Sequence, residues 1–355
     1  MGSKKIRNIA LFAHVDAGKT SISEQFLFHS GKIKTKGSVD KGSAQTDFLE
    51  VEKERGITVN STILTFFWKK TQINLIDTPG HIDFSSETEK AIQAIDSAII
   101  VISAIEGIQA QTERMIELLQ KHQKPFLIFV NKIDRNGADS ELLLSELENE
   151  LKLNLFPIQN IIDEGNELVS IKNIWKENTY NDSKLLLEKL LEYDENLFEA
   201  YFENKTIKWE DLDSLLTLLI QQKEISLVLF GSAKKTVGIH ELLDAIATYL
   251  PDTIQQNKNL MGVVFKTIHQ KSEGKLSAIR LFGGTINSRD IILNTSKSEK
   301  NKVRLIKNTN LQQQAIIQSF GFGEIAWVQG LESAEPGDYI GISPSNCHSS
   351  SMIYH

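Results

Sequence analysis

Lys19 carries a mobile positive charge and Thr20 a hydroxyl, and both stand directly after Gly18 in the stretch Ala13-His14-Val15-Asp16-Ala17-Gly18-Lys19-Thr20. The stretch follows an apolar run, Ile9-Ala10-Leu11-Phe12, and precedes a pattern that puts Ile22, Phe26 and Leu27 on one helical face. Strand, glycine-bearing loop and helix in that order make a phosphate-binding loop, whose N–H groups and helix N-terminus attract anionic oxygens. In such a loop His14, Val15, Asp16, Ala17 and Gly18 surround the phosphates. Lys19 reaches the β- and γ-phosphates, and the Thr20 hydroxyl faces Mg²⁺. The general pattern begins with Gly; here Ala13 takes that place.

Three further clusters complete a nucleotide site. Asp77 directly follows the strand expected over 72–76 and opens Asp77-Thr78-Pro79-Gly80-His81. A carboxylate at the end of a buried strand is placed to hold Mg²⁺ through water, and Gly80 leaves its N–H free to approach a γ-phosphate. Asn131-Lys132-Ile133-Asp134 follows Phe126-Leu127-Ile128-Phe129-Val130. Asp134 can accept two hydrogen bonds from the N1–H and exocyclic amine of guanine, a pattern adenine does not offer. Asn131 steadies the neighbouring loops, and the stem of Lys132 covers one face of the base. Ser232 and Ala233, after the apolar Leu227-Val228-Leu229-Phe230, supply a second base-side loop with N–H groups for guanine O6.

The elements that must position these clusters alternate. Strands are expected over 59–68, 72–76, 98–102 and 126–130, and helices over 84–95, 112–122, 140–153 and 238–250. The fold class that follows is α/β, a doubly wound and mostly parallel sheet with helices on both faces. The separation of Asp134 from Gly231 exceeds one helix–strand unit. An inserted α/β subdomain is therefore expected over 157–222, with helical stretches at 185–193 and 212–222. Beyond a polar linker at 251–259 the period changes to alternation, over 261–267, 277–282, 291–294, 303–306, 324–328 and 339–342. Short strands without helices predict a small antiparallel β-barrel. The expected boundaries are 1–253 for the nucleotide domain, 254–345 for the barrel and 346–355 for a tail.

Composition fits a globular protein: 41% hydrophobic and 24% charged residues in a chain of 355. The longest apolar run, near 98–102, is far short of a membrane span, and the first residues hold no secretory signal. Cys347 is the only cysteine, which excludes an internal disulfide framework and fits a reducing cytosol. A cytoplasmic monomer with no DNA or membrane partner is expected. The net charge of −7 argues against general nucleic-acid binding, yet residues 251–355 hold 11 basic and 8 acidic side chains. Lys297, Lys300, Lys302, Arg304 and Lys307 cluster there, either as a contact for RNA phosphates or as a solvated basic hairpin. The histidines show no metal-ligand spacing, and His14 packs or caps within its loop.

These motifs resemble those of the translational GTPases, most of all the group holding elongation factor G and the tetracycline-resistance ribosomal protection proteins. The resemblance rests on Ala13 to Thr20, on Arg55-Gly56-Ile57-Thr58, on Asp77-Thr78-Pro79-Gly80-His81-Ile82-Asp83-Phe84 and on Asn131-Lys132-Ile133-Asp134-Arg135. Gly37-Ser38-Val39-Asp40-Lys41-Gly42, Gly107-Ile108-Gln109-Ala110-Gln111-Thr112 and Gly231-Ser232-Ala233-Lys234 look more like the ribosomal protection branch. The resemblance implies a P-loop GTPase that hydrolyses GTP to GDP and phosphate when the ribosome activates it. It implies Thr58 as a Mg²⁺ ligand beside Thr20 and Asp77, and His81 as the residue that orients the attacking water. Val15 and Ile57 match the apolar gate in front of that histidine. Asp16 either holds a monovalent cation at the β–γ bridge or stabilises the loop. The insertion contacts ribosomal proteins or only packs on the core, and the barrel docks on small-subunit ribosomal RNA. Family members continue for about as many residues again. The alternative is a guanine-nucleotide sensor of the same family that does not hydrolyse.

Overall fold

The computed structural model describes residues 5–35, 62–77, 85–175, 181–203, 205, 207–253, 258–270, 273–309 and 315–342. The chain opens with β1 (Lys5–Ala13), α1 (Lys19–His29), β2 (Thr62–Trp68), β3 (Thr71–Asp77), α2 (Ser85–Ala94), β4 (Ser97–Ser103), α3 (Ala110–Lys121), β5 (Phe126–Asn131) and α4 (Ser140–Glu150). It continues with β6 (Leu155–Pro157), β7 (Gln159–Ile162), β8 (Ser170–Asn173), α5 (Asn181–Leu191), α6 (Glu195–Phe202), α7 (Trp209–Gln222), β9 (Ser226–Phe230) and α8 (Ile239–Tyr249).

Seven strands form one sheet in the order β2-β3-β1-β4-β5-β9-β6. All neighbours run parallel except β2, which pairs antiparallel with β3 at the edge. Strands β3, β4, β5 and β9 are buried along their whole length. That is why β4, β5 and β9 are nearly continuous apolar runs rather than alternations, helices covering both faces, whereas β3 buries Gln72 and Asn74 among its apolar residues. In β1, Ile9, Leu11 and Ala13 join the core beneath α1, α7 and α8. Ala10 and Phe12 join the opposite core beneath α2, α3 and α4.

Strand β6 ends at Pro157, the residue where the insertion was expected to begin, and pairs with β9 in the main sheet. Beyond it, β7 and β8 form a separate antiparallel pair. Helix α7 buries Leu212, Leu215, Leu216, Leu219 and Ile220 in the same core as Ile246 of α8. Asp213 of α7 accepts hydrogen bonds from Trp175 Nε1 at 2.9 Å and from the Tyr249 hydroxyl at 3.2 Å. The last segment expected to be insertion is thereby tied to the nucleotide-domain core.

The remaining chain supplies β10 (Met261–Gln270), β11 (Gly274–Gly283), β12 (Thr285–Asn287), β13 (Ile291–Asn294), β14 (Glu299–Lys302), β15 (Leu305–Lys307), β16 (Ser319–Gly321), β17 (Ile325–Gln329) and β18 (Tyr339–Gly341). Seven of these make an antiparallel, barrel-like sheet in the order β14-β13-β18-β10-β11-β17-β15, and β12 pairs with β16. The expected basic cluster is partly neutralised. Lys307 pairs with Glu273, Lys297 with Glu335 and Arg304 with Glu332.

The barrel-like sheet packs against α2 on one side of the parallel sheet. Val263, Phe265, Leu276, Ala278, Ile325 and Trp327 pack in one cluster with Ile92 and Ile95. At its centre the guanidinium of Arg280, with no exposed surface, donates to both carboxylate oxygens of Asp96 at 3.1 Å. Asp96 also accepts from Asn8 Nδ2 at 2.9 Å and Thr253 Oγ1 at 2.8 Å. Asn8 in turn accepts from Asn74 Nδ2 at 2.8 Å. Removing one member of a buried charge pair strands the other in a low dielectric. Asp96→Ala is therefore expected to cost about 3 kcal/mol in urea unfolding, with Asp96→Ala/Arg280→Met recovering part of the loss. A cost for Asp96→Ala below about 1 kcal/mol would show that the pair does not clamp the two sheets together.

Candidate functional site

Parallel strands leave their carboxyl ends on one edge of a sheet, where the loops that follow them meet. Here β1 ends at Ala13 opposite Val101, β3 at Asp77 opposite Leu11, and β5 at Asn131 opposite Ser103, while Phe230 at the end of β9 faces Val130. All four sequence clusters start on that edge.

The loop from Ala13 to Lys19 is held in an unusual backbone path. Asp16 has φ 64° and Gly18 φ 100°. Gly18 is the N-cap of α1 with no side-chain capping bond, and the first turn contains no acid. The positive end of the helix dipole is thus left for an anion. A Cβ on Gly18 would lie 2.2 Å from Asn131 Nδ2, so glycine is required there on two grounds.

Asn131, 2% exposed, joins the loops. Its Nδ2 donates to the Ala17 carbonyl at 2.7 Å, and its Oδ1 accepts from the Ala233 N–H at 2.9 Å. Gln25 of α1 donates to the Ala233 carbonyl from the other side and to Thr236 Oγ1 at 3.1 Å. Ser232 exchanges two backbone hydrogen bonds of 3.0 Å with Val237, and its hydroxyl accepts from the Lys235 N–H at 3.2 Å. Asp134 is buried beside this loop at 8% exposure, and the intervening Ile133 donates its N–H to the Gly231 carbonyl.

On the phosphate side Lys19 Nζ lies 2.8 Å from Asp77 Oδ1, and Ser23 Oγ donates to Asp77 Oδ2 at 3.4 Å. Thr20 is half-buried next to them, whereas Val15 and Asp16 are exposed. Lys132, with φ 67°, turns its ammonium to Glu106. His14 is buried, and neither ring nitrogen makes a hydrogen bond among the described residues; Nε2 lies 3.9 Å from Glu106 Oε2. It packs in the loop rather than capping it. The structure therefore gathers His14 to Thr20, Asp77, Asn131, Lys132, Asp134, Ser232 and Ala233 on one edge. Thr58, Gly80 and His81, with Ile57, lie outside the described residues.

Residues 4–252 match the elongation factor Tu GTP binding domain family. The chain belongs to that family. It is 38% identical over 341 residues to the tetracycline resistance protein TetP of Clostridium perfringens, covering 96% of this chain and 52% of the relative. It is 33% identical to the mitochondrial ribosome-releasing factor 2 of Drosophila melanogaster, covering 97% and 51%. It is 32% identical to elongation factor G of Thermotoga neapolitana, covering 94% and 54%. The crystal structure of ttk003000868 from Thermus thermophilus shares the fold with a TM-score of 0.86 at 23% identity, covering 99% of this chain and 57% of that one. The chain thus spans about half the length of the relatives it matches. It shares with them the fold and the guanine-nucleotide family.

Sequence reasoning missed three supports of this site: Ser23, Gln25 and Glu106. Ser23 and Gln25 are polar residues buried between Ile22 and Phe26 on the apolar side of α1. Polar side chains on a core-facing helix surface demand partners, and that was the available signal. Glu106 carried none, because nothing local in the chain links it to Lys132.

Burial holds the pKa of His14 below its usual 6.5, against the opposing pull of Glu106. The unfolded chain therefore takes up a proton that the folded chain resists, so this contribution to stability is complete above pH 6.5 and is lost as pH falls below it. Urea unfolding between about pH 7 and pH 5 is expected to show that decline, and His14→Gln to flatten it. An equal decline in the variant would assign it to other groups.

Proposed function

We propose that this chain is the nucleotide-handling part of a cytoplasmic, monomeric, ribosome-dependent GTPase of the elongation factor G and ribosomal protection type. The observation that carries this reading is the Asn131 side chain, which fastens the phosphate loop to the Ser232–Ala233 loop. A phosphate site and a base site are thereby held at a fixed distance, as a nucleoside triphosphate requires.

Asp134 reads the N1–H and exocyclic amine of guanine, and Ser232 and Ala233 meet O6. The amides of His14 to Gly18 surround the phosphates, and Lys19 swings from Asp77 to the β- and γ-oxygens. The hydroxyl of Thr20 and the carboxylate of Asp77 are hard oxygen donors suited to Mg²⁺, with Thr58 as a further ligand. The present pairing of Asp77 with an ammonium 2.8 Å away supports a cation at that carboxylate. Bound Mg²⁺ would neutralise charge at the β- and γ-oxygens. Gly80 gives its N–H to the γ-phosphate, and His81 orients the water that attacks in line. Asp16 faces the β–γ bridge. Val15 keeps His81 outward until the ribosome, through RNA and protein contacts, drives it in. Order and release of the loops that carry Thr58 and His81 then couple nucleotide state to ribosome binding.

Steady-state hydrolysis of GTP and ATP, with and without 70S ribosomes, tests this reading. Turnover with GTP alone, accelerated by ribosomes and lowered about 10²-fold or more by His81→Ala, is expected. Asp134→Asn is expected to exchange guanine for xanthine preference, because the amide can donate to the 2-oxo group of xanthine where the carboxylate only accepts from the 2-amino group of guanine. Tight GTP binding without turnover, persisting when the chain is extended to the length of its relatives, would instead identify a sensor. Equal use of ATP would overturn the base assignment.

A further inference from the structure

Glu106 lies in the loop after β4, outside every motif that the sequence singles out, yet its position is closely fixed. Ser103, fully buried, accepts at its hydroxyl from the N–H groups of Ile105 at 3.3 Å and Glu106 at 3.4 Å, and the Gly107 N–H donates to the Ser103 carbonyl at 3.0 Å. Gln109 donates its side-chain amide to the Glu106 carbonyl. The loop is also bound to the base side, since the Ala104 N–H donates to the Asn131 carbonyl at 2.9 Å. From that held backbone the carboxylate receives Lys132 Nζ on both oxygens, at 2.9 and 3.3 Å. Its Oε2 lies 3.9 Å from His14 Nε2 in the phosphate loop.

A half-exposed ion pair of this kind adds little to stability. What it changes is freedom: an unanchored lysine stem must be immobilised when a ligand packs on it, whereas one tied at both ends has already lost that entropy. At Lys132 one end is fixed by a left-handed backbone, φ 67°, next to buried Asn131. The other is fixed by Glu106. We infer that Glu106 is a positioning residue for guanine-nucleotide binding: its carboxylate holds the Lys132 ammonium so that the stem is preset against the purine face. This rests on the assignment of Asn131 to Asp134 as the base loop.

The test is the dissociation rate of N-methylanthraniloyl-GDP from the parent chain, Glu106→Gln, Lys132→Met and the double variant, with inorganic tripolyphosphate as a competitor that lacks a base. Glu106→Gln is expected to speed dissociation about three- to tenfold, Lys132→Met to do the same, and the double variant to be no faster than the faster single one. Tripolyphosphate competition is expected to stay within about twofold of the parent, and Glu106→Asp to recover part of the loss by keeping the charge. Multiplying effects, unchanged dissociation in Glu106→Gln, or an equal loss of tripolyphosphate affinity would overturn the inference. A parent chain that binds no labelled GDP would overturn the base-loop assignment itself, and the inference with it.

Discussion

A single buried amide sets the geometry of the nucleotide edge. Asn131 donates to one loop and accepts from another, and an amide is the side chain that can do both at once in a fixed plane. A buried amide with both functions satisfied costs little, whereas one left half-satisfied carries the full desolvation penalty, so the two loops are constrained together rather than separately. The constraint reaches into the chain at Gly18, where any Cβ would collide with the same amide nitrogen. It reaches Gln25 as well, which holds the far side of the Ala233 peptide from α1. The pairing of Lys19 with Asp77 follows similar logic: a carboxylate 1% exposed requires a cation, and among the described residues the phosphate-loop lysine supplies it.

The parts of this arrangement that are legible in the sequence are those governed by local rules. Apolar runs marked β1, β4, β5 and β9 because strands covered on both faces need no alternation. The motif loops were legible because glycine, lysine and carboxylate types at strand ends have few other uses. What stayed hidden depends on partners far along the chain. Strand β6 is three residues long, and only its pairing with β9, some seventy residues on, makes it part of the main sheet. Strand β14 reads Glu-Lys-Asn-Lys, with no apolar position, and forms by pairing with β13. Helix α6 buries no residue fully, only Leu197 and Tyr201 pack partly buried against the core, and its clearest local marker is the Asp194 cap. The basic cluster was legible as a run of charges but not as ion pairs, because Glu273, Glu332 and Glu335 come from other strands and turns. For Thr58, Gly80 and His81 the sequence remains the source of the assignment.

Two long-range polar centres among the described residues sit at opposite ends of the same strands. Asp96, which receives Arg280 from the barrel-like sheet, and Asn8, which donates to Asp96, lie just before β4 and near the amino end of β1. The phosphate loop leaves the carboxyl end of β1, and Ser103, which fixes the Glu106 loop, closes β4. Between these ends both strands are buried among close-packed side chains, and such an interior transmits displacement rather than absorbing it. A strand with every residue packed on both faces cannot stretch or bend to isolate one end from the other. Any change in how the barrel-like sheet seats on Asp96 must therefore either break that polar centre, at the cost of a stranded buried guanidinium, or carry the sheet with it as a body. The buried pair makes the first outcome costly. The fold thus favours movement of the sheet as a body, with Asn131 keeping the loops after β1 and β9 in register.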